Sequence, residues 1–340
     1  MPEAARTYNQ GHVPRPATPG RRRLSIYISW SYPAEANRNP AELDNRFSTM
    51  TEVRRVFWPA YEVPRFADPL QFQQGIAGAL ELFFWAWVPF QKLAGEVTGH
   101  PVPVFQRVDQ AGFALPLDER VLGDVDTLFV FGLDHNVTGQ LPSDAEIEAL
   151  RGFLRREDTC LVIGPHHDVG ASDDLEVRAT EYAHHGDALV PRQQRFGAYA
   201  IALLRALDIP VENRYALRPA VRPGTKNQVA PLSVDRDADT RGWMAGVESL
   251  TFHMHLPHYA ITREDGTARV IARQPMDLSR PHPHAQAGES EFNSVVWAPP
   301  KGDRAGDVLV CDSTAFSTLF GGDASLERFW KNIATGARTG

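Results

Sequence analysis

Two short polar segments follow apolar runs of the kind that form buried strands. The first is FGLDHN (131–136) and the second is IGPHHD (163–168). In an open parallel sheet, ligands bind beyond the carboxyl ends of the strands, so we expect the two segments to meet at one rim. Their polar side chains are Asp134, His135, Asn136, His166, His167 and Asp168. These residue types serve as general acids and bases and as metal ligands.

Histidine is concentrated in the second half of the chain, where nine of the 12 histidines fall between positions 166 and 284. In FHMHLPH (252–258), strand alternation predicts that His253 and His255 share one face. Pro257 is expected to end that strand and to turn His258 toward the same region. Imidazole suits divalent Zn, Mn or Fe, and a nearby carboxylate completes a mixed site. The predicted metal ligands are His166, His167, His253, His255 and His258.

Catalytic and substrate-binding roles are predicted for residues near the same rim. The candidate catalytic residues are His166, Asp134, His135 and Asp168. The carboxylate of Asp134 or that of Asp168 is expected to act as a base or to orient a metal ligand. The candidate substrate-binding residues are Trp85, Trp87, Asn136 and Ser313.

Structural interpretations stay open for several of these positions. His184 and His185 fit a flexible lid as well as a site, whereas the 282–284 segment is typical of an ordinary loop. The DST segment (312–314) fits a strand-end cap better than a nucleophilic site. The chain has no H-E-x-x-H motif, no G-x-S-x-G elbow and no glycine-rich phosphate loop. The sequence motifs therefore do not indicate a metalloprotease of this type, an α/β-hydrolase or a nucleotide-binding protein.

Composition narrows the class of protein. The chain has 340 residues, 43% hydrophobic content and a net charge of −7, which argues against nucleic acid or an acidic membrane as a partner. The two cysteines, Cys160 and Cys311, are too few for a disulfide framework or a zinc–thiolate site. The first 20 residues have no apolar core of a signal peptide. We expect a cytoplasmic protein.

An aromatic segment, IAGALELFFWAWVPFQKLAG (76–95), is the only membrane-like stretch. Its uninterrupted apolar part is shorter than the roughly 20 residues that span a bilayer. We expect a helix whose aromatic surface exceeds what its own sheet can cover. That excess predicts a contact with a lid or with a second subunit, and hence a homodimer.

The spacing of apolar residues predicts an α/β architecture. Apolar strands at 124–133 and 159–164 flank an amphipathic helix at 142–158, with Ser143 as N-cap and Glu146 completing a capping box. Strand, helix and strand in this order form a parallel βαβ unit. We expect an extended N-terminal arm (1–22) and a single α/β domain (23–340). Residues 215–305 should form a β-rich elaboration folded back over the rim.

The stretch VDTLFVFGLDHN…LPSDAEIEALRGFLRREDTCLVIGPHHD resembles the class I glutamine amidotransferase-like superfamily, especially its ThuA-like (trehalose utilization) branch. The resemblance covers about 120–210 and 305–335, and it implies a flavodoxin-like, three-layer parallel sheet. The amidotransferase pattern has a nucleophilic cysteine at the third position of a G-x-C turn. Here the turn reads Gly164-Pro165-His166, so thiolate glutaminase chemistry is not available at this position.

These features together predict a metal-assisted hydrolase or lyase. Its substrate is expected to be a small polar molecule, sugar-like or an amide, bound at the carboxyl-end rim of the sheet. The alternative is a non-catalytic module of the same fold that uses this rim and the aromatic residues to bind a ligand or a partner.

Overall fold

The computed structural model describes residues 12–30, 34, 83–109, 112–186, 193–226 and 228–337. The helix predicted at 39–58 and the first part of the aromatic segment, 76–82, lie outside the described residues. No helix among the described residues is long and apolar enough to cross a membrane.

The larger of two sheets has eight strands in the order β2-β1-β3-β4-β12-β11-β10-β8. The first five strands in this order are parallel, and the remaining strands join them antiparallel. Each of β1, β3, β4 and β12 is buried along its whole length, as expected for parallel strands covered on both faces. The strands are β1 Leu24–Ile28, β2 Val104–Gln106, β3 Thr127–Gly132, β4 Cys160–Pro165, β8 Ser233–Val234, β10 Arg269–Pro275, β11 Glu291–Ala298 and β12 Asp307–Cys311.

A smaller antiparallel sheet begins directly after β4. Its order is β6-β5-β7-β9, and β9 contacts β11 of the larger sheet. The predicted elaboration is thus divided, because β8, β10 and β11 extend the larger sheet whereas β9 joins the smaller one. The strands are β5 Asp168–Val169, β6 Gln194–Arg195, β7 Val211–Leu217 and β9 Leu256–Ile261.

Helices cover both faces of the larger sheet. The first helix and the last pack on one face through Phe90 and Trp330, and the third and fifth pack on the other through Phe153 and Leu203. The helices are α1 Val88–Thr98, α2 Glu119–Leu122, α3 Asp144–Arg155, α4 Leu175–His185, α5 Ala198–Ala206, α6 Pro283–Gln286 and α7 Asp323–Thr335. The protein is therefore a mixed α/β structure built on a large, mainly parallel sheet.

The predicted βαβ unit is confirmed. Strands β3 and β4 pair in parallel from Thr127 opposite Cys160 to Gly132 opposite Pro165, with α3 between them. Helix α3 begins with the predicted capping box, in which the Ser143 and Glu146 side chains each accept a hydrogen bond from the backbone of the other residue. The sequence was sufficient to predict this unit because the two apolar strands, the helix and its cap all lie within about 40 residues of one another.

The described part of the N-terminal arm is anchored to the sheet. Arg15 is 7% exposed, and its Nε donates to Asp124 Oδ2 at 2.9 Å. His12 Nε2 contacts the same carboxylate oxygen at 3.0 Å. Burial of an arginine requires such compensation, so the arm is held to the fold at Arg15, whereas residues 13, 14 and 16–21 are exposed.

Gly197 allows helix α5 to approach the ends of β3 and β4. It has a φ of 82°, and a Cβ at this position would lie 2.7 Å from Pro165 Cα and 3.0 Å from the Gly132 carbonyl oxygen. We expect Gly197→Ala to lower the free energy of unfolding by about 1–3 kcal/mol, measured by urea denaturation, because the left-handed backbone and the close contact both oppose a side chain.

Gly152→Ala is the matched control for this substitution. Gly152 lies in α3 with no atom within 4 Å of its built Cβ, so alanine should stabilise the protein by about 0.5–1 kcal/mol. Equal stabilities of the two variants would contradict the role of Gly197 in the approach of α5.

Candidate functional site

Five buried histidines form one group, which we call the histidine cluster. It contains two overlapping sets of three side chains, and within each set the candidate ligand atoms all lie within 4.8 Å of one another. The first set is His166, His253 and His255, and the second is His167, His185 and His255. His255 belongs to both sets, with its ring centroid 3.9 Å from that of His253 and 4.5 Å from that of His185.

Three separate parts of the chain supply the histidine cluster. His166 and His167 follow β4 directly, as predicted. His185 is the last residue of α4, which ends at Gly186 in the left-handed conformation. His253 and His255 lie in the segment before β9, so the prediction that they share a strand face was wrong, although their convergence was right.

Asp312 holds the ring of His166 from behind. The His166 Nδ1–H donates to Asp312 Oδ1 at 2.9 Å, and Thr314 Oγ1 donates to the other carboxylate oxygen at 2.6 Å. Burial favours a raised pKa for Asp312, but the interaction with His166 outweighs it and the pKa is lowered. The ionised carboxylate therefore fixes the proton on Nδ1, and Nε2 is left as the atom that can bind a metal.

Three of the other imidazoles, those of His167, His253 and His255, are suited to the neutral form that a metal requires. Burial, followed by the neighbouring histidines, lowers the pKa of His253 to about 3. The pKa of His167 and that of His255 also lie well below the usual value, with burial as the main cause. The buried Nε2 of His253 makes no hydrogen bond to any described residue. This nitrogen is therefore available to bind an atom that does not belong to the protein, such as a metal ion.

His167 has a second arrangement of the same kind. Its Nε2–H donates to Gln194 Oε1 at 3.2 Å, which leaves Nδ1 as the ring atom with a lone pair. This Nδ1 is also buried and has no hydrogen-bond partner among the described residues. A metal-binding histidine usually donates the N–H of one ring nitrogen to an oxygen and binds the metal through the other nitrogen.

Asp134 lies at the end of β3 as predicted, and its carboxylate contacts helix α5 and Ser29. Its Oδ2 accepts from the Tyr199 backbone N–H at 3.1 Å, and its Oδ1 accepts a hydrogen bond from the Ser29 hydroxyl. His135 accepts from the Val137 N–H at 3.1 Å and begins a short 3-10 turn. These contacts cap the N-terminus of α5 and the turn.

The two predicted rim segments nevertheless meet at one side chain. The Phe196 ring lies 5.5 Å from the ring of His135, 5.8 Å from that of His166 and 4.9 Å from that of His167, measured between centroids. Asn136, in the 3-10 turn after His135, is exposed. The two segments thus meet through the Phe196 ring and through the His166 N–H, which donates to the Gly132 carbonyl oxygen at 3.1 Å.

Asp168 is held in the smaller sheet. Its Oδ1 accepts from Gln193 Nε2 at 2.7 Å, and its Oδ2 lies 3.3 Å from Arg195 Nε. Burial raises the pKa of Asp168 to about 6, against the opposing effects of Gln193 and Arg195. A carboxyl with this pKa can be either protonated or ionised near neutral pH.

His258 lies apart from the histidine cluster. It sits within β9, opposite Arg214 of β7, so Pro257 does not end the strand as predicted. Its Nδ1 accepts from the Asn293 N–H at 3.2 Å, and its ring centroid is 4.8 Å from that of His284. Both histidines line a cavity of about 770 Å³. A strand that runs through position 258 explains why this side chain does not reach its predicted neighbours.

The predicted substrate-binding residues have different environments. Trp87 is 1% exposed, with its ring 4.7 Å from that of Phe131, and it belongs to the core. Trp85 is 56% exposed, so part of the aromatic surface is open in this chain and the homodimer stays a prediction. Ser313 is fully buried, and its hydroxyl makes no hydrogen bond to a described residue.

Two residues of the site, His185 and Asp312, were not among the predicted site residues, and His185 had been left open between a lid and a site. His185 could have been found because EYAHHG ends in glycine, a common helix terminus that positions the preceding side chains. Asp312 was interpreted as a strand-end cap. The register that places β12 beside β4, with Val310 opposite Ile163, is what brings its carboxylate to His166.

Comparison with known proteins gives little further information. No family model matches the chain, and no curated protein matches it. Among solved structures, the "mmIFT52 N-terminal domain" is 10% identical, covers 72% of this chain and 90% of its own, and has a TM-score of 0.42. A Bacteroides uniformis protein described as ThuA-like is 8% identical, covers 95% of both chains and has a TM-score of 0.38. At such TM-scores these likenesses support no conclusion about fold or function.

Proposed function

We propose that this protein is a metal-dependent hydrolase or lyase that acts on a small polar substrate, sugar-like or an amide, at the carboxyl end of the larger sheet. The observation that carries this proposal is the first histidine set, His166, His253 and His255, backed by Asp312. Three neutral ligands with one carboxylate behind them are typical of a catalytic metal site.

The residues present fit a divalent transition metal. The donor atoms are imidazole nitrogens, which suit Zn, Mn or Fe, and the unsatisfied Nε2 of buried His253 supports an occupant. Three protein ligands leave at least one coordination position for water or substrate. A closed structural site would instead use four protein ligands.

Chemistry at this site would divide between the ion and the chain. A bound divalent ion supplies Lewis acidity for a substrate carbonyl or for water. Asp312 holds the His166 ring in one orientation, and Thr314 holds Asp312 in turn. Phe196 and Phe320 limit water around the histidines, with the Phe320 ring centroid 4.2 Å from that of His253. These contacts preorganise the ligands before substrate binds.

We assign the acid–base role to Asp168, which directly follows the candidate ligand His167 and is 6% exposed. A carboxyl whose pKa is about 6 can both accept and release a proton near neutral pH. Asp134 is occupied by the Tyr199 N–H and the Ser29 hydroxyl and serves the start of α5. His135 and Asn136 would then shape the rim on the side of Phe196.

The family proposed for this chain is the ThuA-like branch, without a catalytic cysteine. The order β2-β1-β3-β4-β12 of the parallel strands supports a flavodoxin-like sheet, since that fold has the order 2-1-3-4-5. His166 follows β4 where the amidotransferase pattern has its cysteine. Both thiols of the chain are buried in strands, and burial raises the pKa of Cys160 to about 12. Neither thiol is suited to nucleophilic attack.

Metal analysis combined with a substrate panel tests the proposed function. Protein purified without a histidine tag should retain at least one equivalent of a transition metal after gel filtration. It should hydrolyse or cleave a member of a panel of glycosides and amides, lose that activity with a chelator and regain it when the metal is restored. Protein that neither retains nor takes up metal would overturn the proposal. Stoichiometric metal without turnover on any member would favour the binding module.

A further inference from the structure

We propose that the histidine cluster binds two metal ions, with the second ion held by His167, His185 and His255. This inference rests on the proposed function for the first ion, which occupies the set around His166. It goes further because it assigns chemistry to His167 and His185 and makes His255 a bridge between two ions.

The second set repeats the organisation of the first. In each set, one imidazole donates its outward N–H to an oxygen: His166 to Asp312 at 2.9 Å, and His167 to Gln194 at 3.2 Å. In each set, one buried nitrogen has no hydrogen-bond partner among the described residues: His253 Nε2 in the first and His167 Nδ1 in the second. Buried nitrogens without a hydrogen-bond partner also occur elsewhere among the described residues, so what points to two occupants is that these two belong to different sets of converging imidazoles.

The two sets share the segment after β4 and the segment before β9, and they differ in that the second set adds a residue at the end of α4. His185 is positioned by the C-terminus of α4, whereas His253 belongs to the segment before β9. The ring centroids of His167 and His185 lie 5.2 Å apart, and each lies close to His255, at 5.1 Å and 4.5 Å. His255 is therefore central, and the remaining histidines surround it from two sides.

Simultaneous binding requires both nitrogens of His255. An imidazole nitrogen has one lone pair for coordination, so one atom cannot bind two ions. With two ions bound, the His255 ring gives its remaining N–H proton to solvent and becomes a bridging imidazolate. No electron is transferred, and each new metal–nitrogen bond is formed by a nitrogen lone pair. The negative bridge, together with Asp312, partly offsets the charge of two dications.

The donor set also narrows the class of metal. All ligands of the second set are imidazoles, which suit zinc, copper or nickel rather than magnesium or calcium. Zinc and copper are therefore the ions to use as probes.

Metal titration distinguishes one ion from two. Metal-free, tag-free protein is incubated with excess Zn²⁺, passed through a desalting column and analysed for zinc per chain. Wild type is expected to hold two equivalents, and His185→Ala and His253→Ala one each. His284→Gln is the matched control, since His284 lies outside the cluster and donates to the Glu291 carbonyl; it should hold two.

Each stoichiometry has a separate meaning. Zero equivalents in wild type would overturn the proposed function, whereas one equivalent would overturn only the second ion. Cu²⁺-loaded protein provides a readout that does not depend on variant folding. Two coppers bridged by an imidazolate should be magnetically coupled, so the EPR signal of wild type should fall below that expected for its copper content. A full, uncoupled signal from wild type would overturn the bridge.

Discussion

His166→Gln is expected to remove the first metal ion and to lower activity at least 100-fold while leaving the fold intact. Histidine at this position supplies Nε2 as a ligand, and glutamine has no comparable nitrogen donor. The glutamine amide can still donate to Asp312, so the loss in the free energy of unfolding should be only about 0.5–1.5 kcal/mol. Metal analysis, turnover and urea denaturation of one preparation measure the three effects together.

Two further variants control this result. Asp312→Asn keeps every histidine but removes the ionised acceptor behind His166, so metal affinity should fall by roughly 10–100-fold. His258→Gln should retain the metal, because His258 lies in β9 beside His284 and outside the cluster. A His166→Gln protein that remains active and fully loaded with metal would end the hypothesis that this residue is a ligand.

Metal-free protein is expected to unfold in mild acid. Burial lowers the pKa of His184 to about 4 and that of His253, His258 and His282 to about 3. Below pH 6.5 the unfolded chain takes up protons on these histidines, whereas the folded chain does not until the pH approaches the lowered pKa values. Protons therefore bind the unfolded state preferentially, and stability falls as the pH falls.

The expected loss is large relative to the stability of a domain. Each such histidine contributes up to about 1.4 kcal/mol per pH unit, so four of them sum to on the order of 10 kcal/mol between pH 6.5 and 4.5. Whole domains are stable by only about 5–15 kcal/mol. Asp168 acts in the opposite direction, since its pKa is raised to about 6 and it takes up a proton in the folded state first. Burial also raises the pKa of Glu181, Asp239 and Asp307, so these carboxyls act in the same direction as Asp168 and together offset part of the loss.

Urea denaturation between pH 7.5 and 4.5, with a chelator present, measures this dependence. His258→Gln removes one of the four groups without touching the cluster, so the slope of stability against pH should fall by about 1.4 kcal/mol per pH unit. A free energy of unfolding that stays constant from pH 7 to pH 5 would show that these imidazoles are not neutral in the folded protein.

The sequence alone was sufficient for the parts of the protein that depend on neighbouring residues. Strands β3 and β4, helix α3 and its capping box were all predicted, because hydrophobic periodicity and caps act over a few residues. The same local signals placed His166 and His167 directly after a buried strand. The position of β4 in the order of the sheet was not needed for that inference.

Tertiary structure decided which side chains meet. Asp312 lies 146 residues from His166, and the two join only because β12 pairs with β4 in parallel. His185 lies beside His255 because α4 ends there, whereas His258 lies within β9 and outside the histidine cluster. Strand pairing and helix docking depend on apolar burial between distant segments, and no pattern along the chain states which segments pair. The kinds of residues that could do chemistry were thus visible in the sequence, but their assembly into two overlapping sets was decided by long-range packing.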